Sequence, residues 1–303
     1  MRLYVTIFLI FFSFSVNSQT AIFFSKSKGA LNSGGTLDVM MYNPNTKTTS
    51  LLLKGTIRGR GEYNFVTSPD GYKAIFNTYQ FSGWKLAVGD INEGEISNVK
   101  KFTDRKNYEY CGKYSPDGLS VVYQEFDWND RSSNLMIANK DGSNAKLLFK
   151  NNVSDQSLDW TKDNNSIVFT QLNNNSLSIY MISIRDKSLK RLSNSEANDF
   201  APSTSKTEDK VAFLSDRNGK IDLFIMDTDG GNLKNLTSKL KTADADASNI
   251  WAYKVSWSPD GEKLVFNAMI NNSLELFIVN SDGSNLYQIT DNKDSNITPF
   301  WSN

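Results

Sequence analysis

The sequence predicts an all-β fold: a six-bladed β-propeller of four-stranded antiparallel blades, closed by pairing of the C-terminal strand with the N-terminal blade. Three observations predict it. A unit of 40-odd residues recurs along the chain. Each copy reads as short apolar strands parted by polar turns. The two ends of the chain hold complementary parts of one unit. No stretch sustains a period of 3.6, so helix is expected to be scarce.

The chain opens with an apolar run, LYVTIFLIFFSFSV (residues 3–16), preceded by Arg2. That run is shorter than the roughly 20 residues a membrane span needs, and Val16-Asn17-Ser18 suits signal peptidase. Residues 1–18 are therefore read as a cleaved secretory signal, with an uncleaved anchor as the alternative. The only cysteine, Cys111, is far from the run, which argues against a lipoprotein acylation site. The expected location is periplasmic or secreted, with no membrane insertion after cleavage.

Residues 19–303 then read as a single domain. TSPDGYKAIFNT (67–78), YSPDGLSVVYQE (114–125), WTKDNNSIVFTQ (160–171) and WSPDGEKLVFNA (257–268) align, and TSKTEDKVAFLS (204–215) is a weaker copy. The aromatic residues Phe76, Tyr123, Phe169, Phe213 and Phe266 set a register with steps of 47, 46, 44 and 53 residues, and Phe23 extends it to six copies. In Ser-Pro-Asp-Gly, proline fixes φ at about −65°, Asp caps its own backbone, and Gly takes the positive φ that ends a hairpin. A second alternating strand follows each first one: LDVMMYN (37–43), WKLAVGD (84–90), NLMIANKDGSN (134–144), SIYMISIRDKS (178–188), DLFIMDTDGGN (222–232) and ELFIVNSDGSN (275–285). A short apolar stretch such as LLL (51–53) or LYQI (286–289) completes the unit.

Four-stranded units at this period describe propeller blades or a solenoid. The ends decide between them. Trp301 lies 44 residues after Trp257 and begins a repeat that stops before its turn, while the first repeat lacks an opening strand. Ring closure satisfies both and leaves no open edge. The expected blades are 21–54 with 296–303, then 62–100, 108–150, 155–192, 199–237 and 250–290; seven blades is the alternative count.

WSPDGEKLVF (257–266), LSDRNGKIDLFIMDTDGGNLKNLT (214–237) and LFIVNSDGSNLYQIT (276–290) resemble the repeat of the TolB-type six-bladed propeller family. The resemblance covers nearly the whole of residues 19–303 and implies the fold more sharply than any function. Related blades occur in TolB, in prolyl-oligopeptidase-like enzymes and in oligogalacturonate lyases. TolB carries an N-terminal α/β domain, whereas blades here are expected to follow the signal directly. The Gly-x-Ser-x-Gly elbow of the peptidases is not found, and the lyases use His with a divalent metal.

Composition narrows the chemistry. There is no His and one Cys, which removes Ser-His-Asp, Cys-His and His-ligated metal sites, and any intrachain disulfide. Lys+Arg and Asp+Glu are both 33, and that balance argues against nucleic-acid binding. Segments leading into the innermost strands collect Glu62, Tyr63, Tyr108, Glu109, Asp155, Asp199, Trp251 and Tyr253. Aromatics beside acids suit a peptide or a sugar, and repeated turn and core residues would give the same pattern. The loop EFDWNDRSSN (125–134) adds Trp128 and Arg131 as rim contacts. Ser215-Asp216-Arg217 is expected to tie a loop or bridge blades. DTDGGN (227–232) and DNKDSN (291–296) lack the calcium-loop spacing and read as hairpin turns. Cys111 is expected to be a buried, inert thiol.

The function expected is a non-enzymatic binding or scaffolding module for a protein, peptide or glycan at the channel mouth. The alternative is a secreted carbohydrate-active hydrolase or lyase using carboxylate, Tyr or Lys groups. A third is a Tol-system-like envelope component docking a peptidoglycan-associated lipoprotein. No cofactor and no catalytic residue is assigned, a channel calcium ion stays open, and a monomer is expected.

Overall fold

Turn chemistry sets the sheets. Ser68 Oγ accepts from Lys73 N at 3.0 Å, Asp70 Oδ1 accepts from Tyr72 N at 3.1 Å, and Ser68 Oγ donates to Asp70. The same three contacts recur at Ser115-Asp117 and Ser258-Asp260. Thr161-Asp163 repeats them, with Asn164 at φ 61° where the other copies carry glycine. Each side chain thereby satisfies backbone donors that a tight turn would otherwise leave unpaired.

The structure, a computed structural model, describes residues 20–302 except 30, 32–33, 58–59, 93, 151 and 243–246; of 155, 247 and 248 it describes the backbone alone. The expected signal, residues 1–18, lies outside the described residues. Six four-stranded antiparallel sheets form a six-bladed propeller. The first holds β1 (Ile22–Ser27), β2 (Leu37–Asn43) and β3 (Thr48–Leu53). The second holds β4 (Tyr63–Thr67), β5 (Lys73–Thr78), β6 (Lys85–Asn92) and β7 (Glu95–Lys101). The third holds β8 (Tyr108–Tyr114), β9 (Ser120–Asp127), β10 (Ser132–Asn139) and β11 (Lys146–Phe149). The fourth holds β12 (Val153–Trp160), β13 (Ser166–Asn173), β14 (Ser176–Ser183) and β15 (Leu189–Arg191). The fifth holds β16 (Asp199–Thr204), β17 (Lys210–Ser215), β18 (Asp222–Asp227) and β19 (Lys234–Asn235). The sixth holds β20 (Val255–Trp257), β21 (Lys263–Ile270), β22 (Ser273–Asn280) and β23 (Tyr287–Gln288). A 3-10 segment at Ala247–Ala252 precedes β20.

The last strand, β24 (Ser295–Trp301), returns to the first sheet and gives the order β24-β1-β2-β3. Ile22 pairs with Trp301 and Ser27 with Ser295. Ser302 N donates to Ala21 O at 2.8 Å, and Ser302 Oγ accepts from Ala21 N at 3.1 Å. The ring is therefore closed by its two ends, as the split repeat predicts.

The core lies between blades. The register aromatics Phe23, Phe76, Tyr123, Phe169, Phe213 and Phe266 are all buried in the second strand of their sheets. Each such side chain is worth about 1.5–3 kcal/mol in transfer free energy. Trp160 Nε1 donates to Lys113 O and Trp257 Nε1 to Ser203 O, both at 3.0 Å, tying each blade to its predecessor.

Asn64 (φ 52°), Cys111 (φ 44°), Gln156 (φ 55°), Ala201 (φ 54°) and Thr298 (φ 50°) are left-handed, each within an innermost strand. The pairing register shifts beside each of them. These are β-bulges, and each non-glycine left-handed residue costs about 1–2 kcal/mol. The innermost strands of all six blades line one channel.

Candidate functional site

The channel has two mouths. The Ser-Pro-Asp-Gly turns surround one. The loops between second and third strands, with the crossovers between blades, surround the other, called here the loop-side mouth. At the loop-side mouth two adjoining cavities form one cleft. The first, of about 350 Å³, is lined by Leu31, Leu37, Arg60, Tyr63, Trp84, Tyr110, Gln156 and Trp251, among others. The second, of about 450 Å³, shares Trp84, Tyr110, Gln156 and Trp251 and adds Tyr108, Gln124, Phe126 and Trp128.

The rings support one another edge to face. Tyr63 meets Trp84 at 5.1 Å and Trp251 at 5.4 Å, and Tyr79 meets Trp84 at 5.2 Å. Tyr108 meets Trp128 at 5.1 Å, and Phe126 meets Trp128 at 4.7 Å. Such contacts add about 0.5–1.5 kcal/mol per pair beyond area burial and fix ring orientation. Tyr63 Oη donates to Gln156 Oε1 at 2.9 Å, and the Arg60 guanidinium lies 3.9 Å from the Tyr79 centroid. Burial pushes the Tyr63 phenol well above its ordinary range; a hydrogen bond to Tyr79, then burial, raises that of Tyr108. Gly83 (φ 133°) is required by close approach, because a Cβ there would lie 2.6 Å from Tyr108 Cε1. Gln124 Nε2 donates to Ser133 Oγ at 2.6 Å, while its buried Oε1 has no hydrogen-bond partner among the described residues.

The sequence candidates divide into groups. Tyr63, Tyr108, Trp128 and Trp251 meet in the cleft, and Trp128 is 56% exposed. Glu62, Glu109 and Asp199 are buried and hold the crossovers between blades. Glu62 accepts from Thr56 N at 3.0 Å, Thr56 Oγ1 at 2.8 Å and Thr78 Oγ1 at 3.0 Å. Glu109 accepts from Thr103 Oγ1 and from Leu86 N. Asp199 accepts from Ser195 Oγ at 2.7 Å and pairs with Arg217 Nη2 at 2.6 Å. Burial raises both glutamate carboxyls against these donors, Glu109 to about 7. Tyr253 is core, edge-on to Phe200 at 6.1 Å. Arg131 is exposed in the β9–β10 turn at φ 56°, away from the cleft lining. The side chain of Asp155 lies outside the described residues.

The other motifs are structural. Arg217 pairs with Asp199 rather than with its neighbour, and Asp216 accepts from Asn198 N at 2.8 Å and Nδ2 at 2.7 Å. In the two Asp-rich turns, Asp229 accepts from Gly231 N and Asp294 from Gly29 N, both at 2.8 Å. Cys111 is buried on β8. Among the described residues no three acidic or thiol side chains gather at metal-holding distance.

Trp84, Tyr110, Phe126, Gln156 and Arg60 were not singled out by sequence reasoning. A signal existed for Tyr110. In KNYEY (106–110), Tyr108 and Tyr110 share one strand face and Glu109 takes the other, which period two alone dictates. Trp84 opens WKLAVGD and reads as a strand residue; it stands instead at the end of the β5–β6 loop and lines both lobes of the cleft.

No protein-family model matches the chain. An uncharacterised protein of Agrobacterium fabrum is 24% identical over 165 residues, 52% of this chain and 54% of the relative, so the chain spans about half that relative's length. TolB from Acinetobacter baumannii superposes with a TM-score of 0.71 at 16% identity, over 93% of this chain and 66% of that one. A TolB-like protein from Agrobacterium tumefaciens gives 0.66 at 15% identity, over 93% and 98%. A puromycin hydrolase gives 0.58 at 15% identity, over 88% of this chain and 46% of that one. The chain carries the TolB-type six-bladed propeller fold.

Proposed function

We propose that this propeller is a non-enzymatic binding module that takes an elongated ligand, an oligosaccharide or an extended peptide segment, in the loop-side cleft. The observation that carries this reading is the two-lobed aromatic wall, in which Arg60 is the one charged residue among the described lining. Flat apolar faces give stacking area, and the half-buried Gln156 amide gives directional polar contacts. The rings are already held by their neighbours, so binding orders few side chains and little of the gained free energy is lost to entropy.

A hydrolase or lyase would need acids aimed at the substrate. Glu62, Glu109 and Asp199 are turned into the crossovers and occupied by backbone, hydroxyl or guanidinium donors. This favours binding over catalysis. The apolar N-terminal run supports a periplasmic or secreted location, and the fold shared with TolB is the one support for a role as an envelope component.

The test is a glycan array and an array of extended peptides probed with residues 19–303, with turnover of the glycan hits assayed in parallel. Hits without turnover are expected. Bond cleavage of any hit would replace the reading with the enzymatic one, and arrays without hits would overturn both ligand classes.

A further inference from the structure

The turn-side mouth carries a second, chemically different site. One residue per blade, each immediately before the aromatic or Thr that precedes the turn, forms a ring: Val66, Lys113, Asp159, Ser203, Ser256 and Phe300. They line a cavity of about 200 Å³. The turn prolines Pro69, Pro116 and Pro259 narrow it, and in the weak fifth repeat Lys206 stands where those prolines stand.

The charges in this ring do not cancel locally. Asp159 is saturated: Oδ1 accepts from Trp160 N at 2.9 Å and Lys206 Nζ at 3.2 Å, and Oδ2 accepts from Thr204 N at 3.0 Å and Ser203 Oγ at 3.2 Å. Lys206 also reaches Trp160 O and Thr204 Oγ1, both at 3.4 Å. Among the described residues the Lys113 ammonium has no carboxylate and no hydrogen-bond acceptor. Its contact is the face of Phe300, 4.4 Å away across the channel. Ser256 Oγ accepts from Trp301 N at 3.0 Å, which leaves its hydroxyl hydrogen to donate. Deeper in the channel Lys254 adds a further positive charge and donates to Ser157 Oγ. A partly buried ammonium with three open donors, lining the same small walled cavity as a hydroxyl, is a receptor for an oxyanion.

We propose that the turn-side mouth binds a small oxyanion, a carboxylate or a phosphate, between Lys113 Nζ and Ser256 Oγ. The site is independent of the aromatic cleft. Its size suits a small molecule or a single acidic group, and the proline rim excludes a folded surface. Burial holds the Lys113 amine down at about 8, against the pull of Asp159 and with the push of Lys206 and Lys254; Cys111 and Tyr114 are the other titratable neighbours. Occupancy therefore weakens as Lys113 loses its proton, by about tenfold from pH 7 to pH 9.

The experiment is titration calorimetry of residues 19–303 with inorganic phosphate and with succinate at pH 7, and with succinate again at pH 9. One-to-one binding of either anion is expected, and the one that binds identifies the source. Lys113→Met should weaken it at least tenfold, and Lys113→Arg should retain it. A melting curve of each variant establishes folding. In the unsubstituted protein the bound anion should also slow acetylation of Lys113, read by mass spectrometry, which needs no variant. Absence of binding by both anions, affinity unchanged in Lys113→Met, or acetylation of Lys113 unaffected by saturating anion would overturn the proposal.

Discussion

Ring closure can be tested at Ile297. This side chain is fully buried on β24, in the core shared by Leu264, Leu274 and Phe266 of the sixth blade and Leu37 of the first. Ile297→Ala removes buried methyl and methylene groups from a site whose walls belong to different blades and cannot easily collapse. Substitutions of this kind cost about 2–5 kcal/mol. Against a typical total of about 5–15 kcal/mol, that is a large fraction. At about 2–4 °C per kcal/mol for chains of this order, the melting point should fall by roughly 4–20 °C. Deleting 295–303 goes further, removing the Trp301 and Ile297 burial and the hydrogen bonds to Ala21, and should leave no cooperative transition. Leu51→Ala, 53% exposed on β3 of the same sheet, is the control and should stay within about 0.5 kcal/mol. The assay is thermal denaturation followed by circular dichroism. A deletion variant that melts like the intact chain would refute the reasoning, because the first sheet would then hold without its innermost strand.

Three further outcomes follow from the crossovers and the cleft. Glu109 keeps its proton up to about pH 7 in the folded state but only to about 4.5 when unfolded, so its contribution falls as pH rises between those values and is flat beyond them. Glu109→Gln should therefore gain on the wild type from pH 5 to pH 8 by up to about 3 kcal/mol in urea midpoints, and a pH-independent difference would contradict the assignment. Asp199→Ala strands the Arg217 guanidinium and should cost about 3–5 kcal/mol; a loss below about 1 kcal/mol would mean that stacking on Phe224, at 4.6 Å, holds the loop instead. Gly83→Ala should displace Tyr108 and change the near-ultraviolet circular dichroism of the ring cluster, and an unchanged spectrum would contradict the close approach.

The blade count, the turns and the closure were legible because each rests on local chemistry repeated six times. Ser-Pro-Asp-Gly dictates its own hydrogen bonds wherever it occurs, and the buried aromatic of each second strand marks the register. The bulges at Asn64, Cys111, Gln156, Ala201 and Thr298 were not legible, since no common residue type marks them and sheet closure imposes the left-handed backbone. The cleft was half legible. Tyr63, Tyr108, Trp128 and Trp251 were identified, but Glu62, Glu109 and Asp199 attracted the same notice while serving the crossovers. Sequence places an acid at a strand start without revealing that the preceding Thr or Ser turns back to meet it. Trp84 and Gln156 come from different blades, and their meeting depends on the diameter of the ring.

The most direct measurement is the calorimetric affinity of the best array ligand for the unsubstituted propeller and for a Trp84→Ala/Trp251→Ala double variant, with Tyr72→Ala on the opposite face as control. Both tryptophans line both lobes, and buried aromatic anchors are worth about 2 kcal/mol or more each. The account predicts a loss of about 4 kcal/mol, roughly 700-fold, in the double variant and none in Tyr72→Ala. Equal affinity in all three proteins would place the ligand elsewhere and contradict the assignment of the loop-side cleft.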